Sequence, residues 1–178
     1  MATAVSQQHG RAPQATPDDI RSAFTRDFDF LYWVALVITG DSILAKRSLV
    51  RASELSGNER PLFRDWLLHW ARTATAQRAI GEVQGHIVSA GARYLNATCS
   101  HRTHELLNEE QIDSLGRIEP FSIISELDPL ARAALVLRGI QHCSILDCAI
   151  SLNTPAKCVL SAYCHALNWI GEREVVLR

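Results

Sequence analysis

The stretch from residue 143 to residue 170, CSILDCAISLNTPAKCVLSAYCHALNWI, constrains the fold of this chain more than any other. Ser144 is a favoured helix N-cap, and Asn153 tolerates the left-handed conformation that a tight turn needs. Thr154 can cap a second helix that has Pro155 as its first residue, where the missing N–H costs nothing. The pattern therefore predicts two helices joined by a short turn, which is a helix-turn-helix arrangement.

The second of these helices lacks the side chains that read DNA. A helix that enters the major groove needs cations and amides on its outer face, because it contacts phosphates and base edges. Lys157 is its only Lys or Arg between residues 155 and 170. An apolar helix is usually buried or meets a partner. We therefore expect protein contacts along this predicted outer face, whose residues are Lys157, Leu160, Ser161, Cys164, His165 and Leu167.

Charge and cysteine content narrow the protein class. The 178 residues carry a net charge of −1, which gives no general nucleic-acid footprint. An odd number of cysteines at core-like spacing suits reduced thiols in a cytoplasmic protein. No apolar run is long enough to span a membrane, and the polar start lacks the apolar core of a signal peptide. The five cysteines are Cys99, Cys143, Cys148, Cys158 and Cys164.

Helical periodicity and capping signals predict an all-α chain without strands. Pro17 begins a long first helix that Gly40 ends, a second follows Asp41 or Ser42, and a third begins at Pro61. Asp128 and Pro129 begin the helix before the helix-turn-helix. We expect a disordered N-terminus (1–15), a three-helix domain (16–80), a partly helical linker (81–120), a helix-turn-helix domain (121–172) and a tail (173–178). Gly81, Gly85 and Gly91 weaken the helical signal at the start of the linker.

Three motifs, in this order and spacing, resemble bacterial sigma factors of the extracytoplasmic-function group. Residues 29–41, DFLYWVALVITGD, match an aromatic-rich helix that ends in a Thr-Gly-Asp turn. Residues 63–72, FRDWLLHWAR, match the family pattern Phe-x-x-Trp-Leu-x-x-x-Ala-Arg. Residues 127–138, LDPLARAALVLR, match the helix before the helix-turn-helix. The resemblance implies a region 2-like helical domain followed by a region 4-like one.

Three functional surfaces depart from the family pattern. The acidic segment that grips the polymerase clamp is replaced by AKRSLVR, which reverses the charge and disfavours the usual partner. Cations of the last helix are replaced by apolar residues and His165. The clamp-like face comprises Lys46, Arg47, Leu49, Val50 and Arg51, and a solvated helix surface is the alternative explanation for its charges. After Ala71 and Arg72, the family's Asn, Asp and several arginines are replaced by Thr73, Gln77, Arg78, Ile80 and Gly81. The face corresponding to the melted promoter strand comprises Trp66, Trp70, Arg72, Gln77 and Arg78.

These features favour a divergent, sigma-factor-like regulator of transcription that acts through protein contacts, with weakened polymerase and promoter surfaces. The expected partner is an anti-sigma factor, the RNA polymerase core or a second copy bound through residues 155–170, in the cytoplasm and without a membrane contact. A working sigma factor that directs polymerase to promoter DNA is the alternative, and a repressor acting alone is disfavoured by the few cations. We expect no enzyme activity and no cofactor, because the sequence contains no recognisable nucleophile with its base, no paired carboxylates and no glycine-rich phosphate loop. We also expect no metal, because Cys99, His101 and His104 match no zinc-site spacing.

Overall fold

The computed structural model describes residues 14–54, 63–99, 107, 110, 112 and 126–176, with side chains up to residue 171. Seven α-helices lie in these ranges, so the predicted all-α class is confirmed. The only extended pairing among them is an isolated bridge between Gln14 and Phe63. Within the described part, none of the helices combines the length and apolarity needed to cross a bilayer.

The predicted long first helix is wrong, because the chain forms α1 (Pro17–Arg26) and α2 (Phe28–Thr39) with a break at Asp27. Thr16 caps α1 through a reciprocal capping box with Asp19. Helix α1 buries its apolar face against the start of a later helix, whereas α2 lies in the main core. One straight helix could not pack against both of these clusters, so the chain changes direction between α1 and α2. Arg72 holds the Asp27 carboxylate at the break, with 3.0 Å between the two groups.

Gly40 ends α2 as predicted, in the left-handed conformation with φ of +68°. Asp41 then caps α3 (Ser42–Glu54), since its carboxylate accepts from the backbone N–H groups of Ile43 and Leu44. The predicted stop of this helix at residues 56–58 lies outside the described residues. The guanidinium of Arg132 packs directly on Gly40, which joins this turn to the C-terminal half of the chain.

The first predicted domain ends at residue 80, but α4 runs without interruption over Leu67–Gly91, after a 3₁₀ turn at Arg64–Trp66. The helix therefore continues into the linker that was expected to be partly helical. The predicted start at Pro61 lies outside the described residues. Each glycine inside a helix costs only about 1 kcal/mol, and buried side chains on both sides of Gly81 and Gly85 offset this. The C-terminal half of α4 also contacts the helix-turn-helix, where the Gln84 amide donates to the Leu152 carbonyl at 2.7 Å.

The last third of the chain begins where the sequence predicted. Asp128 accepts from two backbone N–H groups at the start of α5 (Pro129–Ala134), which continues as a π-helical segment over Leu135–Ile140. Helices α6 (Ile145–Leu152) and α7 (Ala156–Val176) follow. Helix α7 extends past residue 173, so the predicted start of a separate tail is wrong.

One buried cluster contains side chains from both predicted domains. Val34 and Ile38 of α2, Ile87 of α4, Leu135 after α5 and Tyr163 of α7 all belong to it and are at most 3% exposed. The two predicted domains therefore share a hydrophobic core. Their division into separate folding units stays a prediction.

Candidate functional site

The helix-turn-helix is built as predicted, except at its second cap. The Ser144 hydroxyl accepts from the backbone N–H of Asp147 at 3.1 Å, and Asn153 takes the left-handed conformation with φ of 47°. The hydroxyl of Thr154 donates to the Leu152 carbonyl instead of capping α7, which begins after Pro155. Thr154 thus closes the turn, because the left-handed Asn153 brings the last carbonyls of α6 within reach of its side chain.

The predicted outer face of α7 is only partly exposed. Lys157 and His165 are exposed and Leu160 is half-buried, as an outer face requires. Ser161, Cys164 and Leu167 are buried, so their predicted place on the surface is wrong. Leu167 belongs to the main core, and the other two lie under residues 92–99, which we call the cover segment.

The cover segment is attached to the rest of the protein at three points. It begins with the 3₁₀ turn Ala92–Tyr94, and the Tyr94 hydroxyl donates to the Asp128 carboxylate. The Ser161 hydroxyl donates to the carbonyl of Ala97 at 3.2 Å. A disulfide joins Cys99 to Cys164, so the expectation that these two are reduced thiols is wrong. This pair was not predicted, because the fold brings together two cysteines that are 65 residues apart.

The clamp-like face on α3 is largely tied to the protein itself. Arg47 and Arg51 both pair with the Glu82 carboxylate on α4, the latter at 2.6 Å. The Glu82 side chain is only 7% exposed, whereas both arginines are about half exposed. Lys46 is exposed, but Leu49 is buried and so is not part of the outer face.

Val50 remains exposed on α3 and lines a groove of about 390 Å³ against α1 and the start of α2. Phe24 and Phe28 form its opposite wall. The aromatic walls and Val50 make it mostly apolar. Leu49 lines the groove together with Val50, whereas Arg47 and Arg51 pair with Glu82. The predicted face is therefore divided between an apolar groove and an internal ion-pair cluster.

The predicted promoter-strand face is also divided. Trp66, Gln77 and Arg78 are exposed, and the side chain of Trp66 projects at the start of α4. Trp70 packs edge-on against Phe24, with ring centroids 6.1 Å apart. Arg72 pairs with Asp27 and lies 4.4 Å over another aromatic ring, so it serves the fold rather than a surface.

An exposed apolar patch on α6 was missed by sequence reasoning. Leu146 and Ile150 are 68% and 79% exposed, on the side of the helix opposite to the buried Cys148 and Leu152. With Pro155 they line an open surface cavity of about 700 Å³. Apolar residues lie all round this short helix, and that pattern could have indicated a second apolar face.

Among the described residues, no group of three or more His, Cys, Asp or Glu side chains could hold a metal ion. His101 and His104 lie outside the described residues, and Cys99 is in the disulfide. Cys143 is a half-buried free thiol, and its hydrogen bond with Cys148 lowers the pKa of Cys143 to about 7. The same bond and burial raise the pKa of Cys148.

Comparisons with models of protein families, with curated proteins and with solved structures gave no match. The resemblance to sigma factors therefore rests on the three motifs in residues 29–41, 63–72 and 127–138.

Proposed function

We propose that this chain is a divergent, sigma-factor-like regulator of transcription that acts mainly through protein–protein contacts, with weakened polymerase and promoter surfaces. The burial of Ser161 and Cys164 beneath the cover segment carries the proposal. In a DNA reader of this arrangement, positions along the second helix must reach base edges in the groove. A side chain covered by the protein's own backbone cannot do so.

The charges on α3 support the same proposal. Arg47 and Arg51 are bound to Glu82 and stand where the sigma-factor pattern has acidic residues. The exposed Lys46 adds a further positive charge. Like charges brought together at an interface cost several kcal/mol (order of magnitude) and reject the usual partner.

Exposed apolar side chains offer surfaces for a protein partner. Leu146 and Ile150 on α6, and Ile43 and Val50 on α3, are all more than half exposed. Contiguous exposed apolar surface is a mark of protein interaction sites. A protein that has the shape of a sigma factor but does not read promoters can still bind an anti-sigma factor. We therefore propose an anti-sigma factor as the partner, which this chain would bind in the cytoplasm as a decoy in place of a working sigma factor.

Reconstitution with purified components tests the proposal. The full chain, oxidised and reduced, is mixed with core RNA polymerase and with anti-sigma factors from the genome that encodes it. We expect no stoichiometric complex with core enzyme, no run-off transcript, and a complex with an anti-sigma factor. Ile150→Asp should weaken that complex more than tenfold, whereas Lys157→Ala on the neighbouring helix should not. A specific transcript from promoter DNA would overturn the proposal.

The alternative function, a working sigma factor, is favoured by one observation. Trp66 is 65% exposed at the start of α4, where an aromatic side chain can stack on an unpaired base. Gln77 and Arg78 are exposed further along the same helix. If the reconstitution yields a transcript, Trp66→Ala should reduce it at least tenfold without weakening the complex with core enzyme.

A further inference from the structure

We propose that the disulfide between Cys99 and Cys164 is a redox switch. The oxidised disulfide holds the cover segment over the outer face of α7, and its reduction releases the segment and exposes the side chains beneath it. The proposal goes beyond the regulatory function above, because the opening can be measured without any partner. It concerns access to a helix face and needs no assumption about what binds there.

The disulfide and the Tyr94 hydrogen bond attach the cover segment at two separate places. Cys99 lies at the far end of the cover segment from Tyr94, whose hydroxyl is anchored on Asp128. Between these two anchors, the Ser161 hydroxyl of α7 donates a hydrogen bond to the Ala97 carbonyl. A single hydrogen bond has a small net stabilising effect, since water replaces it when it breaks. Among the described residues beyond Tyr94, the segment is held by this hydrogen bond, by the packing of the small Ala97 side chain against the core and by the disulfide, so the disulfide is its strongest attachment near Cys99.

Exposure within the segment supports the same conclusion. Residues 92, 93, 95, 96 and 98 are exposed, and Ala97 and Cys99 are only half-buried. Segments with few buried apolar contacts open at low free-energy cost. By contrast Cys164, on the face beneath, is 5% exposed. Release of the segment would change the exposure of Cys164 far more than that of any residue in the segment itself.

The chemistry is an ordinary thiol–disulfide exchange with a dithiol reductant. A thiolate of the dithiol attacks Cys99 Sγ, which is the more accessible sulfur, and the Cys164 sulfur leaves as a thiolate and takes up a proton. The second thiol of the reductant then displaces Cys99 and closes its own disulfide. One dithiol is oxidised and one protein disulfide is reduced to two thiols. Cytosolic disulfides are usually transient or redox-sensing, so the proposed compartment suits a reversible bond.

The face that opens has a defined chemical character. Lys157, Ser161, Cys164 and Asn168 follow one another at spacings of four, three and four along α7, which places them on one side of the helix. With one cation among four positions, this side suits a protein partner better than a nucleic acid. Lys157 and Asn168 are exposed in the oxidised protein, so reduction would add Ser161 and Cys164 and make this side of α7 continuously accessible.

Thiol labelling under native conditions tests the proposal, with Cys158 as an internal control because it is buried on the same helix at 1% exposure. In the oxidised full chain, only Cys143, Cys148 and Cys158 should be labelled after unfolding without reductant. After treatment with dithiothreitol and its removal, native Cys164 should react with iodoacetamide at least tenfold faster than Cys158. Cys99→Ser should give the same ratio without reductant, and Cys143→Ser should leave the behaviour of the oxidised and reduced protein unchanged.

Two results would overturn the proposal. Labelling of all five cysteines in the unfolded, unreduced chain would mean that the disulfide does not form. A Cys164 rate equal to that of Cys158 in the reduced wild type, with a native circular dichroism spectrum, would mean that the cover segment stays in place without its disulfide. The reduced wild type provides this measurement even if Cys99→Ser fails to fold.

Discussion

Gly40 has a crowded, left-handed backbone position, whereas Gly81 lies in an open helical one. Their replacement by alanine should therefore change the free energy of unfolding in opposite directions. Gly40 has a φ of +68°, and a Cβ there would overlap the guanidinium of Arg132, whose Cζ would be 2.8 Å away. Arg132 is 8% exposed, and its guanidinium would have to shift to accept the Cβ, in addition to the strain of a positive φ on alanine. We expect Gly40→Ala to lower the free energy of unfolding by about 2 kcal/mol, from the strained conformation and the clash.

Gly81 is the matched control for that substitution. It lies inside α4 with ordinary helical geometry, and a Cβ there would meet nothing within 4 Å. Gly81→Ala should raise the free energy of unfolding by about 0.4–1 kcal/mol, because alanine restricts the unfolded chain. Urea titration of both variants checks the pair. Equal effects of the two substitutions would contradict the argument from local conformation.

Cys143 should be the most reactive thiol of the oxidised protein near neutral pH. It is half-buried, and its hydrogen bond with Cys148 lowers its pKa to about 7, whereas the pKa of Cys148 is raised. The thiolate is the species that reacts with alkylating agents. Brief treatment of the native protein with iodoacetamide at pH 7, followed by peptide mass mapping, should find Cys143 modified well before Cys148 and Cys158. Equal labelling of the three would disprove the assignment.

At the scale of elements, the packing of α3 on α4 depends on a carboxylate with two partners. Glu82 is nearly buried, and either Arg47 or Arg51 can still pair with it when the other is removed. We expect Arg47→Ala and Arg51→Ala each to cost less than about 1 kcal/mol, because exposed arginines are screened by solvent. The double variant should cost more than the sum, since a buried carboxylate is then left unpaired.

Thermal or urea unfolding of the two single variants and the double variant measures this coupling. Glu82→Gln in the double-variant background is the control, because it removes the unpaired charge and should restore part of the lost stability. Simple additivity of the two single effects would show that Glu82 does not depend on the two arginines.

Local signals in the sequence predicted those helix ends that depend on local chemistry. Gly40, Asp128 and Asn153 end or begin helices as expected, because a left-handed residue or an N-cap acts within a few residues of itself. The break at Asp27 and the continuity of α4 through Gly81 were not predicted. Both depend on distant residues that pack against the helix, and periodicity within one segment contains no information about them.

The candidate surfaces were predicted less well for the same reason. The residues of α3 and α7 were identified, but their exposure depends on Glu82 and the cover segment, which come from other parts of the chain. Cys99 lies in a stretch without periodicity, so nothing marked it as the partner of Cys164. A face predicted from one helix shows which residues share a side, and tertiary contacts decide whether that side meets solvent.

At the scale of the whole molecule, the disulfide closes a loop between residues that are 65 positions apart. Such a cross-link stabilises a protein mainly by restricting its unfolded state, by about 2–4 kcal/mol for long loops. Reduction with dithiothreitol, or Cys99→Ser, should lower the free energy of unfolding by that amount. Cys143→Ser should leave the effect of reduction intact. An unchanged urea midpoint after reduction would contradict this prediction.

The shared hydrophobic core implies that the two halves of the chain unfold together. Ile87 on α4 is fully buried in the same cluster as Val34 from the first half and Tyr163 from the second, so neither half can expose its side of the core without the other. Two-state unfolding is expected when both halves of a chain contribute side chains to the same core. A variant that keeps Trp33 as its only tryptophan and one that keeps only Trp169 should therefore show the same urea midpoint by fluorescence.

Far-UV circular dichroism of both variants should give that midpoint as well, because α4 belongs to both halves. A chain cut at residue 80 should fail to fold, since it loses Val83 and Ile87, which are at most 4% exposed. Distinct midpoints for the two tryptophans, or a folded fragment, would instead support separate domains. In that case the contact between Arg132 and the Gly40 turn would be an interface between domains, and Gly40→Ala would shift the two transitions unequally.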